Sequence, residues 1–175
     1  MTMKPFTLLG AAGRLLRHRW QDQRVHRVLP DDALRRLKEH IARSELRHSG
    51  QIRICVEGGL PWSYLRRHAP CRERALMMFS KLRIWDTEHN NGVLVYLLIA
   101  ERSIEIVADR GLRAYVQRSD WQQLVSGMAS AFGEEQFEQG LADVVAEVSA
   151  LLIQYFPASN DAGQGNELPD EPYIP

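Results

Sequence analysis

The chain has 175 residues, of which 45% are hydrophobic and 25% charged, and its 22 lysines and arginines balance 22 acidic residues. These proportions are typical of a single globular domain and exclude a chain that is disordered throughout. The charges are unevenly placed, because residues 1–50 hold eleven basic and five acidic side chains, whereas residues 134–175 hold nine acidic ones and no lysine or arginine. A uniformly basic nucleic-acid-binding domain is thereby excluded, and we expect no nucleic-acid partner.

The N-terminal segment predicts a short amphipathic helix with one basic face. Over residues 7–20, leucines and alanines recur at helical spacing, with Arg14 and two further arginines between them. Such a helix either lies on an anionic membrane surface or packs on the domain or a partner subunit. Because Arg14 interrupts the apolar stretch and basic residues follow it, we interpret residues 1–28 as a basic helical arm and not as an export signal.

The next elements are predicted to be a helix, a strand and a second helix. Pro30 and two acidic residues after it predict a helix start, and Gly50 is expected to end this helix in a left-handed conformation. Residues 51–57 alternate polar and apolar side chains, as a strand with one covered face does. From Pro70 onward an apolar stripe at helical spacing predicts the second helix.

Two further strands follow and define the fold class. Residues 93–100 are apolar on both faces, which indicates a central strand, and residues 104–108 follow it after a tight connection. The strand–helix–strand crossover predicts a right-handed parallel pair, and the tight connection predicts an antiparallel hairpin. Helices on both faces of this small mixed sheet give an α/β fold, a three-layer α/β/α sandwich.

The remainder predicts two helices and a tail. Ser119 and Asp120 begin one helix, and residues 137–155 carry the clearest helical periodicity of the chain, which Pro157 ends. We therefore expect the domain to span residues 29–157. Residues 158–175, which are acidic and rich in asparagine, glycine and proline, are expected to form a disordered tail.

The cysteines and the apolar runs indicate the cellular compartment in which we expect the protein. No run approaches the roughly 20 apolar residues of a membrane-spanning helix. Cys55 and Cys71 have neither metal-type spacing nor a framework of pairs, so we expect reduced thiols in a cytoplasmic protein. Cys55 lies among apolar neighbours in a predicted strand and is interpreted as a core residue and not as a nucleophile. Whether the two cysteines approach each other is not decided by the sequence.

The most polar loop of the chain precedes the central strand. Residues 86–92 bring together two carboxylates and two amide side chains, and oxygen-rich sets of this kind suit Ca²⁺ or Mg²⁺. The same residue types also build ordinary turns, because asparagine and glycine tolerate positive φ. A further carboxylate could complete the set only if its loop shares the same end of the sheet. The candidate metal ligands are Asp86, Glu88, Asn90, Asn91 and Asp109.

Other catalytic signatures are missing from the sequence. The six histidines show no HxH or HExxH spacing, Ser63 has no G-x-S-x-G context, and neither a dinucleotide-binding nor a P-loop glycine pattern occurs. Trp62 and Tyr64, which precede two arginines, are interpreted as packing or surface residues and not as a base-stacking patch. No catalytic residues are therefore assigned.

Several short motifs resemble the TPM domain family, which includes thylakoid-lumen proteins of photosystem II repair and many bacterial proteins. They are His-Ser-Gly-Gln-Ile at residues 48–52, Asn-Asn-Gly at 90–92, Ile-Glu-Ile at 104–106 and Arg-Gly-Leu at 110–112. The resemblance covers residues 29–156 and implies an α/β/α sandwich. It also implies divalent-cation binding, usually of Ca²⁺, in some members, a weak acid phosphatase activity claimed for a plant member and, for many bacterial relatives, genes near those of LemA-type membrane proteins.

The chain departs from the family pattern in two places. Family members usually have an aspartate shortly before the leucine that opens the first domain helix, but residues 24–28 contain none. After the Arg-Gly-Leu motif the family tends to have a glutamate, whereas Arg113 stands here. If the missing aspartate helps to hold the cation, we expect either weak binding through the remaining candidate ligands or no binding.

Two functional hypotheses follow. The first is an accessory or interaction module that acts through its sheet-edge loops and its basic arm, peripheral to the inner membrane or bound to a protein partner. The resemblance implies a LemA-type membrane protein as that partner. The alternative is a metal-dependent phosphomonoesterase, in which Ca²⁺ or Mg²⁺ polarises the phosphoryl oxygens and Asp86 or Asp109 acts as base.

Overall fold

The computed structural model describes residues 25–127, 136–158 and 166–175. The predicted N-terminal amphipathic helix lies outside these residues. Within them, the helices are α1 (Val25–Val28), α2 (Asp31–Glu45), α3 (Trp62–Arg66), α4 (Cys71–Lys81), α5 (Arg118–Gly127) and α6 (Phe137–Tyr155). The strands are β1 (Gln51–Glu57), β2 (Gly92–Leu98) and β3 (Ser103–Ala108).

The sheet has the predicted mixed topology, with β2 in the centre. Strands β1 and β2 are parallel, with Gln51 opposite Gly92, and β2 and β3 are antiparallel, with Val93 opposite Ala108. The start of β1, the start of β2 and the end of β3 therefore lie at one end of the sheet. We call this end, with residues 48–50, 85–91 and 109–111, the loop end, and we call the other end, where β1 and β2 finish, the far end.

Apolar layers cover both faces of the sheet, which confirms the three-layer α/β/α architecture. Alternate strand residues such as Ile54, Val95 and Ile106 pack with α2 and α6 on one face. The intervening residues, such as Cys55 and Leu94, pack with α3 and α4 on the other. Burial of each large aliphatic side chain contributes about 1.5–3 kcal/mol, so these two clusters supply most of the stabilising free energy.

Two predicted boundaries are wrong. Helix α2 ends at Glu45, and His48 and Ser49 are already in extended backbone that pairs with Pro157 and Phe156. Gly50 has no positive φ, and a Cβ there would lie 2.4 Å from Leu152 Cδ2, so a larger residue would have to displace this leucine side chain. Strand β2 ends at Leu98 and not at residue 100, since a 3₁₀ turn follows before β3.

Residues 166–175, which we call the tail segment, fall in the region expected to be a disordered tail and make specific contacts with the domain, whereas residues 159–165 lie outside the described residues. The tail segment lies along the outer edge of β1: the Tyr173 N–H donates to the Ile54 carbonyl and the Val56 N–H to the Tyr173 carbonyl, both at 2.9 Å. Leu168, only 7% exposed, packs into the core on the α4 face. A few well-placed contacts order the tail segment despite its polar composition.

Candidate functional site

The loop end brings together segments that are distant in the sequence. The Asn90–Asn91 turn precedes β2, Asp109 directly follows β3, and Ser49 lies just before β1. The condition that Asp109 and the residue 86–92 loop share one end of the sheet is therefore met. The Asp109 N–H donates to the Gly92 carbonyl at 2.9 Å, so the strand ladder continues up to the loop.

The Asn90 loop is a turn that is hydrogen-bonded to the segment after β3. Asn90 has a φ of 52°, in the left-handed region that asparagine tolerates. Arg110 Nε donates to Asn90 Oδ1 at 2.8 Å, and the Gly111 N–H donates to the Asn90 carbonyl at 2.9 Å. A Cβ at Gly111 would lie 2.6 Å from that carbonyl oxygen and 2.7 Å from the His89 carbonyl oxygen. This close approach explains the glycine of the Arg-Gly-Leu motif.

The candidate ligands differ in burial. Asp86 and Glu88 are exposed, and Asn90 is half-buried with its side-chain oxygen bound to Arg110. Asn91 and Asp109 are buried: Asn91 Nδ2 donates to Ser49 Oγ at 3.2 Å, and Asp109 Oδ1 accepts from the Arg110 N–H at 2.6 Å. Each of these two side chains keeps one oxygen that these hydrogen bonds do not use.

Three buried side-chain polar atoms lack a hydrogen-bond partner within the described residues, and all three belong to the loop end. They are His48 Nε2, Asn91 Oδ1 and Asp109 Oδ2. His48 Nδ1 lies 2.9 Å from the Gly50 carbonyl, so Nδ1 carries the proton and Nε2 presents a lone pair. All three atoms are thus acceptors without a donor. An unpaired buried polar atom costs about 1–3 kcal/mol, and such atoms commonly mark a place for water, an ion or a ligand.

The strand register shows how two of these acceptors are arranged. Asp109 pairs with Gly92, and paired residues of an antiparallel ladder share a face of the sheet. Asn91 precedes Gly92 and therefore lies on the opposite face. The two oxygens flank the end of the sheet. Asp109 shares its face with Ile84 and the loop that follows α4, since Ile84 packs closely against Gly92.

A cavity of about 400 Å³ lies beside the loop end, between α2 and the tail segment. Its carboxyl groups are crowded. Burial raises the pKa of Glu45 to about 8, against a hydrogen bond from the Ile52 N–H, and the nearby Asp170 carboxylate acts in the same direction as burial. Burial also lowers the pKa of His48 to about 4, so this imidazole is neutral at pH 7. The titratable residues that line the cavity are Glu45, His48, Glu88, His89, Glu167 and Asp170.

The far end of the sheet contains a buried polar network that the sequence did not predict. The Glu57 carboxylate accepts from Arg74 Nε at 2.7 Å, from Arg74 Nη2, and from the Tyr96 hydroxyl at 2.5 Å. All three residues are at most 9% exposed, and the Arg74 guanidinium also lies 5.4 Å from the centre of the Tyr64 ring. Since every group in it is paired, the network has a structural role.

Neither the cysteines nor a groove beside β3 carries a reactive group. Cys55 and Cys71 are free buried thiols whose pKa values are raised by burial, which confirms Cys55 as a core residue. A groove of about 820 Å³ lies between β3, α4 and α5. Two of its three charged residues, Arg72 and Glu105, pair with each other at 3.2 Å, the third being Arg113, and no unpaired buried polar atom faces it among the described residues. The loop end, where the unpaired buried acceptors lie, is therefore the better candidate site.

The donor atoms at the loop end suit a hard cation in part. Asn91 and Asp109 offer amide and carboxylate oxygens, the ligand types that Ca²⁺ and Mg²⁺ prefer. In the part of the chain that the structure describes, no three histidine, cysteine or acidic side chains converge as a metal site. A cation would therefore depend on Asp109, amide and backbone carbonyl oxygens, and water.

These features place the chain in a class of α/β/α domains with an asparagine–glycine turn before the central strand. The family model of the TPM domain matches residues 24–151, and the chain belongs to the TPM domain family. Among solved structures, it is similar to the BA42 protein of the psychrophilic bacterium Bizionia argentinensis, with a TM-score of 0.72 and 25% sequence identity. The similarity covers 84% of this chain and 95% of BA42. None of the curated proteins matches it.

The comparisons confirm the predicted family and fold class. The family match begins at residue 24 and so includes α1 together with the rest of the predicted domain up to residue 151. No helix among the described residues has the length and apolar character needed to cross a membrane.

Proposed function

We propose that the chain is an accessory module of the TPM family whose loop end binds a divalent cation, Ca²⁺ or Mg²⁺. The observation that carries this proposal is the concentration of the three unpaired buried acceptors at this end of the sheet. Acceptors without donors are satisfied by a cation or by a water that a cation orders. The Arg110–Asn90 bond and the family aspartate missing from residues 24–28 both favour a low affinity.

Asp109 is the residue on which the cation depends most. Its Oδ2 atom is the buried carboxylate oxygen without a partner, while Oδ1 holds the Arg110 N–H. The side chains of Asp86, Glu88 and Asn90 would add oxygen ligands from the surface. Asn91 Oδ1 would add a further acceptor from the face of the sheet opposite Asp109. A bound cation would supply positive charge there and fix the loops to one another, which gives a partner a single surface to recognise.

A calcium titration of the full chain tests this proposal. We expect Ca²⁺ in the millimolar range to shift the NMR amide resonances of Asn90, Asn91 and Gly92 and to release heat in calorimetry. Asp109→Asn should abolish both signals, whereas Asp31→Asn, which changes an exposed carboxylate on α2, should leave them unchanged. If the unmodified chain shows neither resonance shifts nor heat at millimolar Ca²⁺ and Mg²⁺, the proposal is contradicted and the loop is a turn that binds no cation.

The basic N-terminal arm supplies the second part of the proposed role. Residues 1–27 carry six lysines and arginines against one acidic residue, a charge that favours an anionic membrane surface or an acidic partner. The experiment compares the chain with and without residues 1–27 in liposome sedimentation and in a pull-down with a LemA-type membrane protein. Equal binding by both forms would remove the arm from the proposed function.

The phosphomonoesterase hypothesis rests on the same cation. Asp109 is the buried carboxylate that could act as a base beside it, and Asp86 is the exposed alternative. Hydrolysis of p-nitrophenyl phosphate should then require Ca²⁺ or Mg²⁺ and fall at least about 100-fold in Asp86→Asn or Asp109→Asn. Turnover that survives both substitutions would indicate a contaminating enzyme.

A further inference from the structure

The outer edge of β1 holds the tail segment mainly through backbone atoms of the tail. The side-chain carbonyl of Gln51 accepts from two successive N–H groups, those of Glu167 and Leu168, each at 3.0 Å. Arg53 Nη1 donates to the Pro169 carbonyl. Both side chains belong to β1 and are at most 9% exposed, so the edge presents a fixed donor and a fixed acceptor to whatever extended chain lies on it.

The β1 backbone adds a strand-like pairing at Tyr173. Its N–H donates to the Ile54 carbonyl and its carbonyl accepts from the Val56 N–H, which is a parallel bridge opposite Cys55. Edge strands are templates for an added strand, and proteins that bind peptides in this way obtain affinity from the main chain and specificity from alternate side-chain pockets. The β1 edge has this design, and the tail segment is its occupant.

Two side chains of the tail segment are recognised individually. Leu168 is inserted into the apolar cluster on the α4 face, which includes Ile84 and Leu94. The Tyr173 hydroxyl accepts from Lys81 Nζ at 3.3 Å, and the same ammonium lies 5.6 Å from the centre of the tyrosine ring. A leucine and a tyrosine five residues apart are thus the anchors of the occupant.

Charge favours an acidic occupant. The tail segment carries Glu167, Asp170 and Glu171 and no basic residue. Lys38 Nζ lies 3.8 Å from Glu171 Oε2, and the Asp170 and Glu171 carboxylates act favourably on the Arg53 guanidinium. Asp170 also lies beside the buried carboxyl group of Glu45, so the attraction comes mainly from Lys38 and Arg53. An acidic extended chain therefore matches this edge better than a basic one.

We propose that the β1 edge is a binding site for an extended acidic peptide segment of another protein, with a leucine and a tyrosine five residues apart, and that the tail segment occupies it as a tethered competitor. The partner segment binds parallel to β1, accepts from Arg53, donates to Gln51 and inserts its leucine beside Ile84. Because the tail is tethered at a high effective concentration, the partner binds only when the tail is displaced.

The test uses the full chain and a fluorescein-labelled peptide with the sequence of residues 166–175. The double variant Leu168→Asp/Tyr173→Pro alters only the tail: one substitution expels its anchor and the other removes the N–H that pairs with Ile54. We expect this variant to bind the peptide at least tenfold more tightly than the unmodified chain in fluorescence anisotropy. Adding Gln51→Ala to it should weaken binding about tenfold, and Pro175→Ala, at an exposed position, should behave like the unmodified chain.

Hydrogen exchange gives a second readout that does not depend on Leu168. The Val56 amide should be protected in the unmodified chain, exchange at least tenfold faster in Tyr173→Pro, and regain protection when the peptide is added. The proposal is overturned if the folded double variant binds no peptide at 1 mM, if the unmodified chain binds it equally well, or if Val56 protection is the same in Tyr173→Pro. Dimerisation of the double variant in place of peptide binding would also overturn it, since the edge would then be an interface between copies.

Discussion

The two ends of the sheet differ in whether their buried carboxylates have hydrogen-bond partners. At the far end, Glu57 accepts three hydrogen bonds, two of them from the guanidinium of Arg74. At the loop end, Asp109 leaves one buried oxygen without a partner, and in the cavity beside it Glu45 lies next to another carboxylate, Asp170. The same three strands supply both ends. The far end shows that this fold can satisfy a buried acid completely, so the unsatisfied acceptors at the loop end are a local property with a local reason.

The difference separates a structural network from a candidate site. A buried ion pair whose members are all hydrogen-bonded specifies packing, and removing one partner strands the other charge. Unpaired buried acceptors instead lower the stability of the ligand-free protein. A ligand that supplies a hydrogen-bond donor or a positive charge to them therefore stabilises the folded state more strongly. We therefore expect mutations at the far end to affect folding, and mutations at the loop end to affect the response to pH and cations.

The largest effect is expected at the far end. Glu57→Gln leaves the Arg74 guanidinium buried without a carboxylate, and breaking a buried pair in this way costs about 3–5 kcal/mol. Urea denaturation should show this loss in the free energy of unfolding. Glu73→Gln is the matched control, because Glu73, which lies next to Arg74 on α4, forms an exposed ion pair with Arg67 whose loss should cost less than about 1 kcal/mol. Equal losses in the two variants would contradict a special role for the far end.

The second effect is a pH dependence at the loop end. The pKa of Glu45 is about 8 in the folded chain, against 4.5 for an ordinary glutamate. The folded state thus holds a proton that the unfolded state has lost, so the contribution of Glu45 to stability is complete below pH 4.5 and is lost as the pH rises through 8. Between pH 6 and 8 this contribution to the free energy of unfolding should fall by about 2 kcal/mol, at up to about 1.4 kcal/mol per pH unit.

Glu45→Gln should remove this fall. The glutamine oxygen can still accept from the Ile52 N–H, and its amide can donate to Asp170, so the variant should be more stable than the unmodified chain at pH 8. Glu39→Gln, at an exposed position of the same helix, should keep the original slope. Parallel pH curves for the unmodified chain and Glu45→Gln would show that another group titrates.

The third effect concerns the contact between the Asn90 loop and the segment that follows β3. Gly111→Ala places a Cβ against the carbonyl oxygens of His89 and Asn90, where the backbone has to shift. Overpacking of this kind costs about 1–3 kcal/mol, and the resonances of Asn90 and Asn91 should move with it. Gly111 and Ala114 both lie in the 3₁₀ turn Arg110–Ala114, and Ala114→Ser, at an exposed position, should change neither the stability nor these resonances. A fully stable Gly111→Ala variant would show that the loop adapts without strain.

Features that depend on periodicity were predictable from the sequence, and features that depend on single long-range contacts were not. The alternation around Ile54 and the helical stripe of residues 137–155 define the three layers. The shared end of Asp109 and the Asn90 loop follows from the parallel–antiparallel order of the strands. The Glu57–Arg74 pair leaves no local pattern, since its members are 17 residues apart in different elements. The tail segment is held mostly by hydrogen bonds to its backbone, and amino-acid composition gives no information about such bonds.

The smallest effect tests what the loop end is for. Without Ca²⁺, Asp109→Asn should change the free energy of unfolding by less than about 1 kcal/mol, because the oxygen it alters has no partner to lose. At a Ca²⁺ concentration tenfold above Kd, the unmodified chain should gain about 1.4 kcal/mol and the variant nothing, since only a ligand of the folded state stabilises it. Thermal denaturation with and without Ca²⁺ measures both, with Asp31→Asn as the control that keeps the gain. A large loss in Asp109→Asn without Ca²⁺ would instead make this carboxylate structural, and the two ends of the sheet would then be alike.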